Sequence, residues 1–445
     1  MTTPRRLCPM LACVASLLAT GVAGAEEPKR PVPDYDGRGP PPTTPGDVAL
    51  WIPRIVFSPL YFTSEYIIRR PLGALIVTAE RSHVPTVLYD FFTFGPDHKA
   101  GFAPIVLFDF GFNPSVGIYA FWDDAGGKGN DLNLHASTWG ADWIAGAMSD
   151  RIHLHGKDTL TFTLAGVHRP DQAYFGTGPT SLQSNLGRFS EDKIDGSTAV
   201  DFRPWRASQV QTTVGIRSMS YGPGHYGSDP TVEQQVSNGI YSLPDGFADG
   251  YTAEYNRILV ALDSRQPRPA PGSGMRLEAV SEQGNDVRQS PGSGWIRYAG
   301  TAAGYYDLND HGRVVSLALT AQFADPIGER AVPFSELVQL GGDKPMPGFW
   351  WGRLVGRSAA VATFEYRGPI GPFLDGSLKA AVGNVFGEHL EDFSPSLLRY
   401  AGALGITTVT APDSSVQLLV GFGSETFEHG GQVDSVRVAV GANRF

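Results

Sequence analysis

The residues best placed to do chemistry are few. His153 and His155 flank Leu154 and would share one face of a strand, a spacing that a metal could use. No cysteine or carboxylate stands beside them at ligand spacing, so they read as interfacial or lumen histidines. No metal ligand and no cofactor is assigned. The chain has no Gly-x-Ser-x-Gly elbow and no phosphate-cradling glycine loop; Gly272-Ser273-Gly274 reads as a turn. An outer-wall lipase would need serine and histidine together, and no such pair stands out, so the chain reads as a non-enzyme. The remaining charged constellation is Glu365, Arg367, Asp375 and Lys379. They face one side of two neighbouring strands and read as groups that solvate a lumen and pair across strands.

The elements that must position these residues are strands. Ala359 to Ile370 alternates, with Ala360, Ala362, Phe364 and Tyr366 on one face and Val361, Thr363, Glu365 and Arg367 on the other. Trp295–Tyr306, Arg313–Phe323 and Ser415–Phe422 repeat that pattern. About sixteen such segments run from Ala103 to Phe445, each near ten residues, separated by alternating short and long turns. Gly is abundant at 54 residues and charge is sparse at 18%, as suits twisted strands with one apolar face. In lipid a sheet this wide must close, because an open edge has no partner there. The expectation is an all-β, sixteen-stranded antiparallel transmembrane barrel over residues 103–445.

The N-terminal part reads differently. Arg5 and Arg6, the apolar stretch Leu7–Val22 and Ala23-Gly24-Ala25 predict a signal peptide over residues 1–25, hence export. Both cysteines, Cys8 and Cys13, fall within it, so the mature chain has no disulfide. Residues 26–46 are rich in proline and read as a tether. Residues 47–81 contain the one helix-like stretch: Ser58-Pro59 starts it, and Arg54, Glu65, Arg69 and Arg70 interrupt it. It is too broken to span a membrane and reads as a short amphipathic helix, periplasmic or interfacial. The net charge is −10 and no basic block is present, which argues against a nucleic-acid partner.

Between the strands lies a long loop, Leu340-Gly341-Gly342 through Pro347-Gly348-Phe349-Trp350-Trp351-Gly352-Arg353. Together with the following strand Phe364-Glu365-Tyr366-Arg367-Gly368-Pro369-Ile370 and the next, ending Val382-Gly383-Asn384-Val385-Phe386, it resembles the superfamily of BamA, TamA and FhaC. This is the outer-membrane protein 85, or bacterial surface antigen, family. The resemblance implies a sixteen-stranded barrel in the outer membrane of a Gram-negative bacterium, with Gly341, Gly342, Pro347, Gly348, Phe349, Trp350, Trp351 and Arg353 on a lid loop that folds inward. In that family the loop carries Arg-Gly-Phe or Arg-Gly-Tyr, and its Arg reaches an Asp in the barrel wall. Here those slots hold Pro347 and Ala381, so both halves of the lock are gone together. The loop is expected to be held instead by Phe349, Trp350 and Trp351, with Arg353 or Arg357 pairing with Glu365 or Asp375. The periplasmic POTRA modules that grip clients in that family have no counterpart in the stretch before the barrel.

The resulting functional expectation is a barrel that assists proteins or lipids to enter or cross the outer membrane. A weak seam between the first strand and the last, with Val436, Val438, Val440 and Phe445, would do the work. The alternatives are a passive diffusion channel constricted by the lid, or a structural outer-membrane protein. The implied partners are outer-membrane lipids and lipopolysaccharide, the barrel-assembly machinery during its own insertion, client proteins or lipids, and a second copy of the chain.

Overall fold

The computed structural model describes Tyr66 and residues 90–441, except 267–271, 289–291, 343–344, 371–373 and 409–416. The expected signal peptide (1–25), tether (26–46) and amphipathic segment (47–81), and Phe445, lie outside the described residues, apart from Tyr66.

Sixteen strands follow in chain order: β1 Ala100–Asp109, β2 Ser115–Asp123, β3 Asn130–Thr138, β4 Ile144–His153, β5 Thr159–Tyr174, β6 Gly187–Phe202, β7 Gln209–Pro223 and β8 Tyr251–Asp263. Then come β9 Gly274–Asp286, β10 Gly294–Asp307, β11 Val314–Ile327, β12 Ser358–Pro369, β13 Leu374–Phe386, β14 Arg399–Thr408, β15 Gln417–Ser424 and β16 Val433–Gly441. Each pairs antiparallel with its neighbours in sequence, and β16 pairs with β1, so the sheet closes. Every segment picked out by its alternation is a strand. One short strand, Thr93–Phe94, was not anticipated. It folds back and pairs with Gly101 and Ala100 of β1.

The alternation shows which face meets lipid. Ile118, Ile144, Leu164, Ile194, Ile216, Leu262, Leu317 and Leu404 are all about half exposed and point outward. In water such a continuous apolar wall would aggregate; in a bilayer it is the solvated surface. Aromatic side chains ring both ends of this band. Trp122, Trp205 and Tyr306 lie near the turns, and Trp139, Phe393 and Phe427 near the longer loops. The two longest loops, 224–250 and 328–357, leave the same rim. The first carries helix α1, Val232–Ser237, closed by a capping box between Thr231 and Gln234.

Inside, the barrel is not an empty pipe. The loop 328–357 turns into the rim and packs there, so the largest apolar core among the described residues lies between lid and wall. Leu340, Met346, Phe349 and Leu354 of the lid join Met219, Tyr251, Trp295 and Val385 of the wall.

Candidate functional site

The lid is a folded element. Val338–Leu340 and Leu354–Gly356 pair antiparallel as its stem, and Gly341 and Gly342 turn the chain with positive φ. Its tip lies on β15. A Cβ on Gly348 would stand 1.7 Å from the Phe422 carbonyl oxygen, so only glycine fits that approach. Ser435 of β16 donates its hydroxyl to the Gly348 carbonyl at 3.1 Å, and the Phe349 ring covers Gly423. Trp350 packs edge-on against Phe112, with ring centres 5.2 Å apart, and the Arg188 guanidinium lies over both rings. Trp351 does not anchor the lid as expected. It is 61% exposed and lines the cavity beneath.

The charge lock sits at the other end of the lid. Glu336, only 2% exposed, accepts from Arg217 Nη1 at 2.9 Å and from the Tyr251 hydroxyl, and Arg297 pairs with its second oxygen at 3.0 Å. Arg217 also donates to Asp195 at 2.8 Å, and Arg297 to Glu282, so both guanidinium groups are neutralised within the wall. Burial raises the Glu336 carboxyl pKa, but Arg297 and Arg217 outweigh it and hold the pKa below the usual carboxylate range. The resemblance implies a basic lid residue on an acidic wall. At this end the signs are the opposite, with the acid on the lid and the arginines on β7 and β10.

The other expected pairings are corrected. Arg353, fully buried, donates to the Ser181 hydroxyl at 3.0 Å, the Ser181 carbonyl at 3.1 Å and Gln183 at 2.8 Å, and lies 3.6 Å from Asp434. It ties the lid to loop 175–186, not to Glu365. Burial and the neighbouring Arg399 pull its pKa down to about 10, which leaves it charged. Arg357 bridges Asp325 at 3.3 Å and Glu388 at 2.9 Å, not Asp375. Glu365, Arg367, Asp375 and Lys379 share the inward face near the turn rim, away from the lid, with Glu365 and Lys379 opposite in register. His153 pairs with Asp131 at 2.9 Å across β3 and β4. Among the described residues, Asp325, Glu388 and His389 bring ligand atoms within 4.8 Å of one another, but Arg357 already supplies a cation to both carboxylates.

Beneath the lid is a cavity of about 880 Å³ lined by both signs of charge, among them Arg169, Arg257, Arg437, Glu191 and Lys193. Arg437 reaches Asp109 at 2.9 Å, from the last strand to the first.

That junction is the thinnest in the wall. Among the described residues, β16 and β1 share three pairs in register, Ala439↔Asp109, Val440↔Phe108 and Gly441↔Leu107, while the next shortest ladder, β14 with β15, has seven. The Lys99 carbonyl bonds toward β2 and the Phe110 N–H toward β16, so the even-numbered backbone groups of β1 face the seam. Pro104 is one of these and brings no N–H, which is where a strand tolerates proline only at an edge. Thr93–Phe94 covers the same edge of β1 at Ala100 and Gly101. Val436, Val438 and Val440 point outward, into lipid, and do not bridge the strands from within.

No protein-family model matches the sequence, and no curated protein matches it. Solved structures do. BamA from Haemophilus ducreyi lacking POTRA domains 1–3 is similar at a TM-score of 0.54 and 12% identity, covering 77% of this chain and 70% of that one. CdiB from Acinetobacter baumannii is similar at 0.48 and 12%, covering 77% and 60%. OprD from Pseudomonas aeruginosa matches at 0.33 and 10%, covering 79% and 96%. At these identities the likeness is one of fold: a sixteen-stranded barrel of the BamA kind.

Proposed function

We propose that this chain is an outer-membrane barrel that assists proteins or lipids to insert into or cross that membrane, by parting β1 from β16. The observation that carries this reading is the three-pair seam with Pro104 on its edge, where every other ladder among the described residues is longer. An opened edge offers unpaired N–H and C=O groups, which a client strand satisfies by pairing. The lid lies at the same junction: its tip rests on β15 and β16, and its Trp350 packs on Phe112, just past the end of β1. The charged cavity under the lid favours a second reading, a diffusion channel whose bore the lid sets.

Locking the seam separates the two. Phe108 and Val440 are register partners across the seam, with their side chains on the same outward face. With Phe108→Cys and Val440→Cys oxidised, insertion of an unfolded barrel protein into proteoliposomes should fall at least tenfold and recover on reduction. Full activity in the oxidised form would sink the seam mechanism, and unchanged conductance with no insertion in either state would favour the channel.

A further inference from the structure

The seam edge of β1 is held from both ends. At the long-loop rim β16 takes Leu107, Phe108 and Asp109. At the turn rim the chain before β1 folds back, and Thr93 and Phe94 take Gly101 and Ala100. Both partners run antiparallel to β1, so Thr93–Phe94 lies along the edge in the same direction as β16. A strand needs about 9–11 residues to cross the hydrocarbon, and β1 offers 10. A strand that crosses the membrane on this edge therefore needs both of its ends. Parting β16 frees the positions at the long-loop rim and leaves Thr93–Phe94 in the way at the other.

The fold-back segment is built like a piece of membrane strand. Ala100 shares its parity with Phe102 and Phe108, which point outward, so its partner Phe94 faces outward too, while Thr93 faces inward and is buried. Phe92 packs edge-on against Phe102, with ring centres 5.5 Å apart. Gly101 permits the close approach: a Cβ there would stand 2.6 Å from the Phe92 carbonyl oxygen. The Thr93 hydroxyl lies 2.7 Å from His98 Nδ1, which ties together the turn that returns the chain to β1. The hold is nevertheless slight. Among the described residues the ladder has two register pairs, and Phe94 is 56% exposed. An incoming strand that pairs along all of β1 makes several times as many backbone bonds. Short turns mark the periplasmic rim of such barrels, so the segment also stands on the side from which an exported chain arrives.

We propose that Thr93–Phe94 is a latch in cis on the β1 edge, and that an extended client strand alternating apolar and small polar side chains displaces it. The latch stands where the client's own residues pair, with an aromatic ring outward and a small hydroxyl inward. It keeps the turn-rim end of β1 satisfied until a longer strand takes its place. This rests on the seam reading above, since the latch serves insertion only where β1 parts from β16.

The test uses the full mature barrel in nanodiscs and a fluorescein-labelled peptide of alternating valine and threonine, about ten residues long to span the membrane. Phe94 is the register partner of Ala100, whose backbone groups face the seam, so Phe94→Pro removes a donor from the pairing. Gly101→Ala lifts the same segment from the β1 side, because its methyl meets the Phe92 carbonyl. At an unchanged melting temperature both variants should bind the peptide about tenfold more tightly than the wild type, as when one or two competing backbone hydrogen bonds are lost. Amide exchange at Ala100 should rise in both variants and fall again when the peptide binds. Equal affinity in the wild type and both variants would overturn the latch, whether or not the wild type inserts barrel proteins. So would peptide binding that leaves exchange at Ala100 unchanged, or a freed edge that pairs with a second copy of the chain instead. Tighter peptide binding without faster insertion of an unfolded barrel protein would uphold the latch and count against the insertion reading.

Discussion

Replacing Glu336 with alanine should cost the barrel about 3 kcal/mol and free the lid, because it leaves Arg217 and Arg297 buried without the acid that bridges them. Asp195 and Glu282 still hold part of that charge, which places the cost near the low end for a broken buried pair. The readout is twofold. Trp350 is packed against Phe112 and Phe175 only while the lid is docked, so its emission should shift to the red. In planar bilayers the conductance should rise, since the lid would no longer cover the cavity. A double-mutant cycle between Glu336→Ala and Arg217→Ala should show strong coupling. Wild-type stability, emission and conductance in Glu336→Ala would rule out the lock. The pH behaviour follows the same charge. A carboxyl held below its unfolded pKa contributes stability at every pH above the unfolded value of about 4.3, and that contribution fades only as the pH falls through the lowered one. Lid release in the wild type should therefore need strongly acid buffer, and Glu336→Gln should show it at neutral pH.

Gly348→Ala should have an effect as large, by a different route. The added methyl would lie 1.7 Å from the Phe422 carbonyl oxygen and 2.8 Å from the Gly423 nitrogen, both backbone atoms of β15. Neither can swing away, so the tip of the lid must lift. That removes the Ser435 contact and uncovers Phe349, which is fully buried. A loss of about 4–5 kcal/mol, at the upper end for a single substitution, is expected. The control is Gly352→Ala, where the new methyl meets only the flexible Gln339 side chain at 3.3 Å. Its φ of +69° should cost about 1 kcal/mol and leave the lid in place. If Gly348→Ala melts with Gly352→Ala, the docked tip is not what holds the lid.

The two substitutions attack the lid at its root and at its tip, and they predict different consequences for the seam. Glu336 is braced by β7 and β10, far round the wall from β1 and β16. Gly348 touches β15 and, through Ser435, β16 itself. Seam opening, read by cysteine accessibility at Phe108→Cys, should increase more in Gly348→Ala than in Glu336→Ala.

The strands were legible in the sequence because their signal is local. A residue's face is set by its parity within a ten-residue segment, so Phe364 and Leu378 outward with Glu365 and Lys379 inward could be read without knowing any partner. Closure was legible too, since sixteen such segments with one apolar face have no other stable solution in lipid. The glycines and aromatics of the lid marked it as a loop with a special conformation. What holds that loop was not legible. Glu336 meets Arg217 across 119 residues and Arg353 meets Ser181 across 172, and neither separation leaves a periodic trace. Trp351 was expected to hold the inward loop and is exposed, and Arg353 and Arg357 were expected on Glu365 or Asp375 but reach Ser181, Asp325 and Glu388 instead. Parity along a strand is decided by the backbone of that strand alone. Which charge meets which across a barrel is decided by register, closure and the path of a thirty-residue loop, and only the folded ring fixes those together.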